Sequence, residues 1–341
     1  MYFRFLIFSI LTIVNAFLSA AHADQPDSGI GIYIDQDMFV PFSNEDRDYT
    51  MGMAFEFYWK KEKGIYPLDN LVRSTSKWLG MTNTDNDIVY SFMLGSVVYT
   101  PDDLSDPLPV FNDRPYSSLI YLSNKRVLAD HRKALAAEVS IGLLGTQLAE
   151  SLQTQLHTTY RAASGSKEPV DPQGWSHQIS DGGELTMRLR LSGSLLQPDY
   201  SRTGRWDLTT FYGLSLGYQT NLNVGVAVRA GSIRTPFWSL PFDPVNRGNF
   251  LPSAPEQEWY FWSALRSHLI IYDVLLQGQF RESDVQFSAD QIERVVFDGA
   301  VGVTMGFEKS QLTFSVNAKS PDLKFISRSQ VWGGLNFLFH F

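Results

Sequence analysis

The chain contains no cysteine in its 341 residues. Disulfides are therefore excluded, and the fold must be held by a packed core or by a closed ladder of backbone hydrogen bonds. Beyond the first two dozen residues no apolar run approaches the roughly 20 residues that a membrane-spanning helix needs, so a helical membrane protein is excluded as well. Basic residues are in short supply: 28 Lys and Arg stand against 36 Asp and Glu, a net charge of −8. That balance excludes the basic footprint by which proteins hold nucleic acid. Also missing are a Gly-x-Ser-x-Gly elbow, a His-Glu-x-x-His helix and a phosphate-binding loop. A Ser/His/Asp triad stays open, because its members need not be close in sequence.

What the chain has in abundance is aromatic residues. Phe 24, Tyr 15 and Trp 8 make up 14% of it, yet the mean hydropathy is only −0.14. Many aromatics at near-neutral hydropathy suit a barrel with an apolar outer face and a polar lumen. The beginning of the chain supports export. Arg4 gives a short positive region, Phe5 to Phe17 is almost unbroken apolar sequence, and Ala21-His22-Ala23 before Asp24 has the small-x-small form of a cleavage site. The expectation is a signal peptide over residues 1–23 and one domain over 24–341. At the other end, Leu335, Phe337, Phe339 and Phe341 fall on one face of a strand, with Asn336 and His340 on the other. A strand ending on an aromatic residue in this way resembles the closing strand of outer-membrane barrels. In a soluble sheet it would leave an apolar edge open to aggregation.

The same period of two recurs along the whole chain. Tyr49, Met51, Met53, Phe55, Phe57 and Trp59 alternate with Thr50, Gly52, Ala54 and Glu56. Leu185, Met187, Leu189 and Leu191 alternate with Glu184, Thr186, Arg188, Arg190 and Ser192. Arginines at successive inward positions are ordinary in a wet lumen and hard to bury in a dry sandwich. Similar segments near 30–39, 87–98, 115–124, 133–144, 206–217, 221–232, 257–278, 292–307, 310–319 and 329–341 bring the total to about twelve strands, an even number as a single-chain bacterial barrel requires. The predicted class is thus all-β, a transmembrane antiparallel barrel. The unit at 257–278 is long and changes phase near Leu265, which predicts a bulge or a bend. Excursions over 60–86, 99–114, 145–181, 233–256 and 279–291 are expected to be outer loops, with tight turns such as 219–221 and 308–310 at the inner end. Within the third excursion, Leu148, Leu152, Leu156 and Tyr160 recur at i+4 and predict a short helix docked through that stripe, with Gln153 and His157 on an adjacent face. No repeat, low-complexity tract or second domain is evident.

Three polar clusters fall at strand ends or in loops, where function concentrates. Asp35-Gln36-Asp37 and Asp46-Arg47-Asp48-Tyr49-Thr50 are either a solvated acidic rim with Arg47 in an ion pair or the oxygen donors of a hard cation such as Ca²⁺. Asn112-Asp113-Arg114-Pro115-Tyr116 reads first as turn chemistry, with Asp113 and Arg114 able to orient lumenal groups. Of the six histidines, His157 alone combines a helical setting with a polar neighbour, Gln153, one turn earlier.

Taken in order, these pieces resemble the outer-membrane lipid A 3′-O-deacylases. The matching segments are Asp35-Gln36-Asp37-Met38-Phe39, Asp46-Arg47-Asp48-Tyr49-Thr50-Met51-Gly52, Tyr99-Thr100-Pro101, Asp113-Arg114-Pro115-Tyr116, Leu143-Leu144-Gly145, Gln153 through His157, Gly174-Trp175 with Gln178, and Tyr272 to Gly278. The resemblance implies a twelve-stranded, monomeric barrel in the outer membrane of a Gram-negative bacterium. It would remove the ester-linked 3′ acyloxyacyl chain from lipid A in the outer leaflet, with Ca²⁺ as cofactor. It further implies His157 as general base, Asp37 and Asp35 as metal-holding carboxylates, and Thr50 and Gln36 within the catalytic set. Asp46, Arg47, Asp113, Arg114 and Gln153 would be substrate or structural support. Two departures stand out: Gln36 occupies the family's Asn position, and Ala163 stands where a Glu follows the histidine. Glu150, Glu168 and Asp181 are the acids left to hold a cation in its place. The alternative function is a barrel of the same family without catalysis, binding lipid or serving a structural role.

Overall fold

Alternating apolar and polar residues become twelve strands: β1 (Ser28–Gln36), β2 (Asp48–Lys61), β3 (Ile88–Thr100), β4 (Ser117–Ala129), β5 (Lys133–Leu144), β6 (Glu184–Leu196), β7 (Trp206–Gly217), β8 (Gln219–Ser232), β9 (Glu258–Asp273), β10 (Val295–Gly306), β11 (Ser310–Lys319) and β12 (Gln330–His340). This computed structural model describes residues 28–40, 47–61, 67–81, 88–164, 170–197, 205–242 and 257–340. The expected signal peptide, Asp46, Glu168 and Phe341 lie outside the described residues. Each strand pairs antiparallel with its sequence neighbours, and β1 closes onto β12 in a register running from Gly29 opposite His340 to Gln36 opposite Gly333. Closure satisfies both edges of the sheet, which is what a chain without disulfides needs.

The two faces of the wall carry different chemistry. Leu185, Met187, Phe261, Leu265, Phe297 and Val301 point outward and are exposed, as expected of a wall facing lipid. Inward residues form ion pairs and hydrogen bonds. Arg188 Nη2 lies 3.0 Å from Glu138 Oε1, with Arg190 on the same carboxylate. Glu56 accepts from Tyr33 and Ser91 and lies 3.3 Å from Lys125 Nζ. Arg266 and His268 share Asp298. Charges taken out of water need partners of opposite sign, and each of these has one.

Strand direction corrects the expected placement of the loops. With twelve strands, β1 starts and β12 ends at the same end of the barrel, so the segments after β2 and β8 also leave from that end. They are not outer loops. The segment after β8 turns back into the lumen: Phe242 packs on Phe211 and Trp262 at centroid distances of 6.0 and 6.5 Å, and Trp238 joins Tyr58, Val89 and Val127. The segment after β2 contains an unpredicted helix, α1 (Pro67–Trp78), which lies outside the wall on Tyr90, Leu128, Leu135 and Ala137. The tight turn at Tyr218 belongs to the opposite end. The predicted bulge at Leu265 is displaced as well. β9 pairs without interruption across Leu265, and the irregularity falls at Ile271, skipped between the Thr220–Tyr272 and Asn221–Ile270 pairs. Small outward Ser263 and Ser267 gave the false impression of a phase change.

Candidate functional site

At the end opposite the termini, β2 and β3 meet the helix α2 (Gln147–Ser164), and β1 ends beside β2. The helix is present as the sequence predicts, but rotated. Its docking face is Ala149, Gln153 and His157, of which Gln153 is 3% and His157 5% exposed, whereas Leu148 and Leu156 of the expected stripe are 39% and 47% exposed. Ala149 and the half-buried Leu152 pack with Met51, Val98, Leu104, Tyr116 and Trp175. Met51 and Val98 are outward residues of β2 and β3, so the helix covers the outside of the wall. Its exposed leucines then face away from the barrel. Gln153 and His157 share the helical face of Ala149, and the seam between that face and the wall is the candidate cleft.

A bulge decides which side chains enter this cleft. Tyr49 pairs with Tyr99 and Met51 with Val98, leaving Thr50 as the extra residue. Alternation resets there. Tyr49 turns into the lumen against Tyr99 and Trp332, while Thr50 Oγ1 lies 2.7 Å from Thr100 Oγ1. Thr100 shares the outward face of Val98, so Thr50 belongs to the cleft side and not, as simple alternation predicts, to the lumen. Gln36 also points outward, and its Nε2 donates to Asp37 Oδ1 at 3.1 Å; the backbone N–H of Arg47 donates to Asp37 Oδ2 at 3.2 Å. Asp35 points the other way, accepting from the lumenal Tyr49 hydroxyl at 3.0 Å. Asp35 and Asp37 are therefore divided between the two faces.

His157 is oriented by its neighbours. Its Nδ1 sits 2.7 Å from the Val170 carbonyl oxygen; a carbonyl only accepts, so Nδ1 carries a proton, and the neutral ring has its lone pair on Nε2. Gln153 Oε1 accepts from Trp175 Nε1 at 3.0 Å, which ties the helix to the segment before β6. Gln178, from the same segment, bonds Ser118 and Asp181 at 3.1 and 2.9 Å. Asp113 and Arg114 play a different part. Arg114 is buried over the lumenal Tyr99 ring, 3.6 Å from its centroid, and pairs with Asp322. It closes the mouth of the lumen and does not line the cleft. Arg47 sits at the cleft rim, 2.8 Å from Asp102.

Among the described residues, no three His, Asp or Glu side chains gather as a metal cluster. The hard oxygens on this side of the wall are the Asp37 carboxylate, which accepts from Gln36 Nε2 and the Arg47 N–H, and the paired Thr50 and Thr100 hydroxyls. They suit Ca²⁺ in kind, with water completing the six to eight ligands it takes. A groove of about 790 Å³ lies elsewhere, on the outer wall over β8–β11, where small Ser263, Gly299 and Ala318 separate larger apolar side chains. It brings none of the candidate residues together, so its size does not make it the site.

Sequence reasoning missed Trp175 as the partner of Gln153, Thr100 as the partner of Thr50, and Val170 as the acceptor that sets the histidine tautomer. Only long-range contacts reveal them. The model of the family described as Outer membrane protein LpxR matches residues 5–341. No curated protein matches the chain in sequence. Among solved structures, LpxR from Salmonella typhimurium is similar with a TM-score of 0.68 at 15% identity, covering 92% of this chain and 100% of that one. The β domain of the Bordetella autotransporter BrkA gives 0.45 at 8% identity over 93% and 100% of the two chains.

Proposed function

The chain belongs to the family of the outer membrane protein LpxR, and from that premise we propose that it is a lipid A 3′-O-deacylase, hydrolysing the ester of the 3′ acyloxyacyl chain. A twelve-stranded barrel of this family resides in the outer membrane of a Gram-negative bacterium, where outer-leaflet lipid A can enter a cleft on the outside of the wall. The observation that carries the proposal is the buried His157 on the wall-facing side of α2, its Nδ1–H given to the Val170 carbonyl. Its Nε2 is then the atom that takes a proton from an attacking water. Thr50 donates a hydrogen bond to the ester oxygen or places the substrate, and Gln36 holds the carboxylate of Asp37. Gln153 keeps the helix at a fixed distance from Trp175. Ca²⁺ would be held by Asp37 with the neighbouring amide and hydroxyl oxygens, and when bound it would polarise the ester carbonyl.

One observation favours the non-catalytic alternative: Ala163 offers no acid after the histidine, and no third acidic or histidine side chain joins Asp37 among the described residues. Purified, assembled protein mixed with lipid A in detergent separates the two. The expected result is release of a 3-acyloxyacyl acid, suppressed by a Ca²⁺ chelator and restored by added Ca²⁺. Intact lipid A under every condition would leave the lipid-binding barrel as the better account.

A further inference from the structure

Asp48 opens β2 with φ at 63°, a left-handed backbone that side chains other than glycine adopt only against a steric penalty. Its carboxylate is buried and gripped by Arg328, whose Nε donates to Oδ2 at 2.9 Å and Nη2 to Oδ1 at 3.2 Å. Arg328 comes from the segment between β11 and β12, and its Nη2 also donates to Asp113 Oδ1. Asp113 Oδ2 accepts the Asp102 backbone N–H at 2.9 Å, and Asp102 Oδ1 accepts Arg47 Nη1 at 2.8 Å. Arg47 is thus fixed twice, through its side chain by Asp102 and through its backbone by the turn at Asp48. The N–H held in this way is the one that donates to Asp37 Oδ2.

We infer that Arg328 is a positioning residue. By clamping Asp48 in its left-handed turn, it aims the Arg47 N–H at Asp37 and so fixes the carboxylate of the cleft. Arg328 touches neither substrate nor reacting atoms; it acts through two residues. The fork of its guanidinium suits the task, since two parallel donors define an orientation that a point charge does not. The pairing also keeps the buried Asp48 carboxylate compensated. The consequence for deacylation rests on the proposed function above, whereas the geometric link does not.

The test uses the full chain carrying Arg328→Ala, Arg328→Lys, and Arg328→Ala combined with Asp48→Gly, each checked for assembly by heat-modifiable migration. Hydrogen exchange at the Arg47 amide, read by NMR in detergent, reports the link directly. The expectation is exchange at least about tenfold faster in Arg328→Ala and an intermediate value in Arg328→Lys, which keeps the charge and loses the fork. The double variant should return toward the native rate, because glycine adopts the turn without strain and removes the uncompensated carboxylate. Deacylation should follow, with kcat falling up to about a hundredfold, KM little changed and activity recovered in the double variant, as small misplacements of catalytic groups do. Unchanged Arg47 exchange in Arg328→Ala would overturn the inference. So would failure of Asp48→Gly to rescue either readout, which marks a role in folding rather than in the turn. Should Arg328→Ala not assemble, the lysine and double variants decide by the same criteria. If the native protein deacylates nothing while exchange responds as expected, the function fails and the link stands.

Discussion

At the residue scale, the i, i+4 spacing puts Gln153 and His157 on one helical face, a pattern ordinary helices share; the family resemblance is what made them candidates. Thr50 was legible as a candidate but not in its orientation: a single bulged residue inverts the alternation, and nothing local to Tyr49-Thr50-Met51 announces it. Alternation alone would put Asp35 and Asp37 on one face; they divide because β1 ends at Gln36 and Asp37 begins the 3-10 turn that follows. The hydroxyl pair of Thr50 and Thr100 gives a prediction. If the Thr50 hydroxyl assists the oxyanion, Thr50→Val should lower kcat by about 10²–10³-fold, the usual cost of one lost donor, while Thr50→Ser keeps most of the rate. Rates of fatty-acid release from purified variants check this. A fully active Thr50→Val would restrict Thr50 to packing.

At the element scale all twelve strands could be read from period two, while what covers them could not. The leucine stripe predicts the wrong docking face for α2, since the helix leaves Leu148 and Leu156 exposed and buries Gln153 and His157 against the wall. A rule trained on water puts apolar residues inside; at a lipid-facing surface that preference disappears. Helix α1 escaped notice because Leu68, Leu71, Val72 and Trp78 are its few apolar positions, too few for a clear stripe. Its anchor is ionic. Asp69 accepts from Arg126 Nε and from the Tyr90 hydroxyl, both at 2.8 Å, and is fully buried. Arg126 is an outward residue of β4, so α1 covers and compensates a charge on the outside of the wall. Asp69→Leu should therefore destabilise the barrel by about 3–5 kcal/mol, as stranding one partner of a buried pair does. Asp69→Leu with Arg126→Leu should regain most of that loss. Urea unfolding of the refolded proteins measures both; equal stability of the single variant and the native protein would contradict the anchor.

At the scale of the whole molecule, the barrel is filled rather than open. Strand side chains pair across the lumen, the segment after β8 fills it from the end bearing the termini, and Arg114, Lys319 and Asp322 close the other mouth. Burial alone would raise the Asp322 carboxyl, but the Arg114 guanidinium and the Lys319 ammonium beside it hold it well below the usual carboxylate range. A depressed folded pKa adds stability that is complete above the unfolded value, near about 4, and is lost as pH falls through the folded one. The stability gap between the native protein and Asp322→Asn should thus be constant from neutral pH to about 4 and close only in stronger acid. A gap that closes between pH 7 and 5 would contradict it. The filled lumen leaves the cleft outside the wall as the place for a lipid substrate, and the central claim is that His157 serves hydrolysis there. Mass spectrometry of lipid A from cells with no protein, with the native protein and with His157→Gln tests it most directly. The account predicts loss of one acyloxyacyl unit with the native protein alone, the variant being slower by about 10²–10⁴-fold and equally well assembled. Unaltered lipid A in all three, or equal loss with the native protein and His157→Gln, would contradict it.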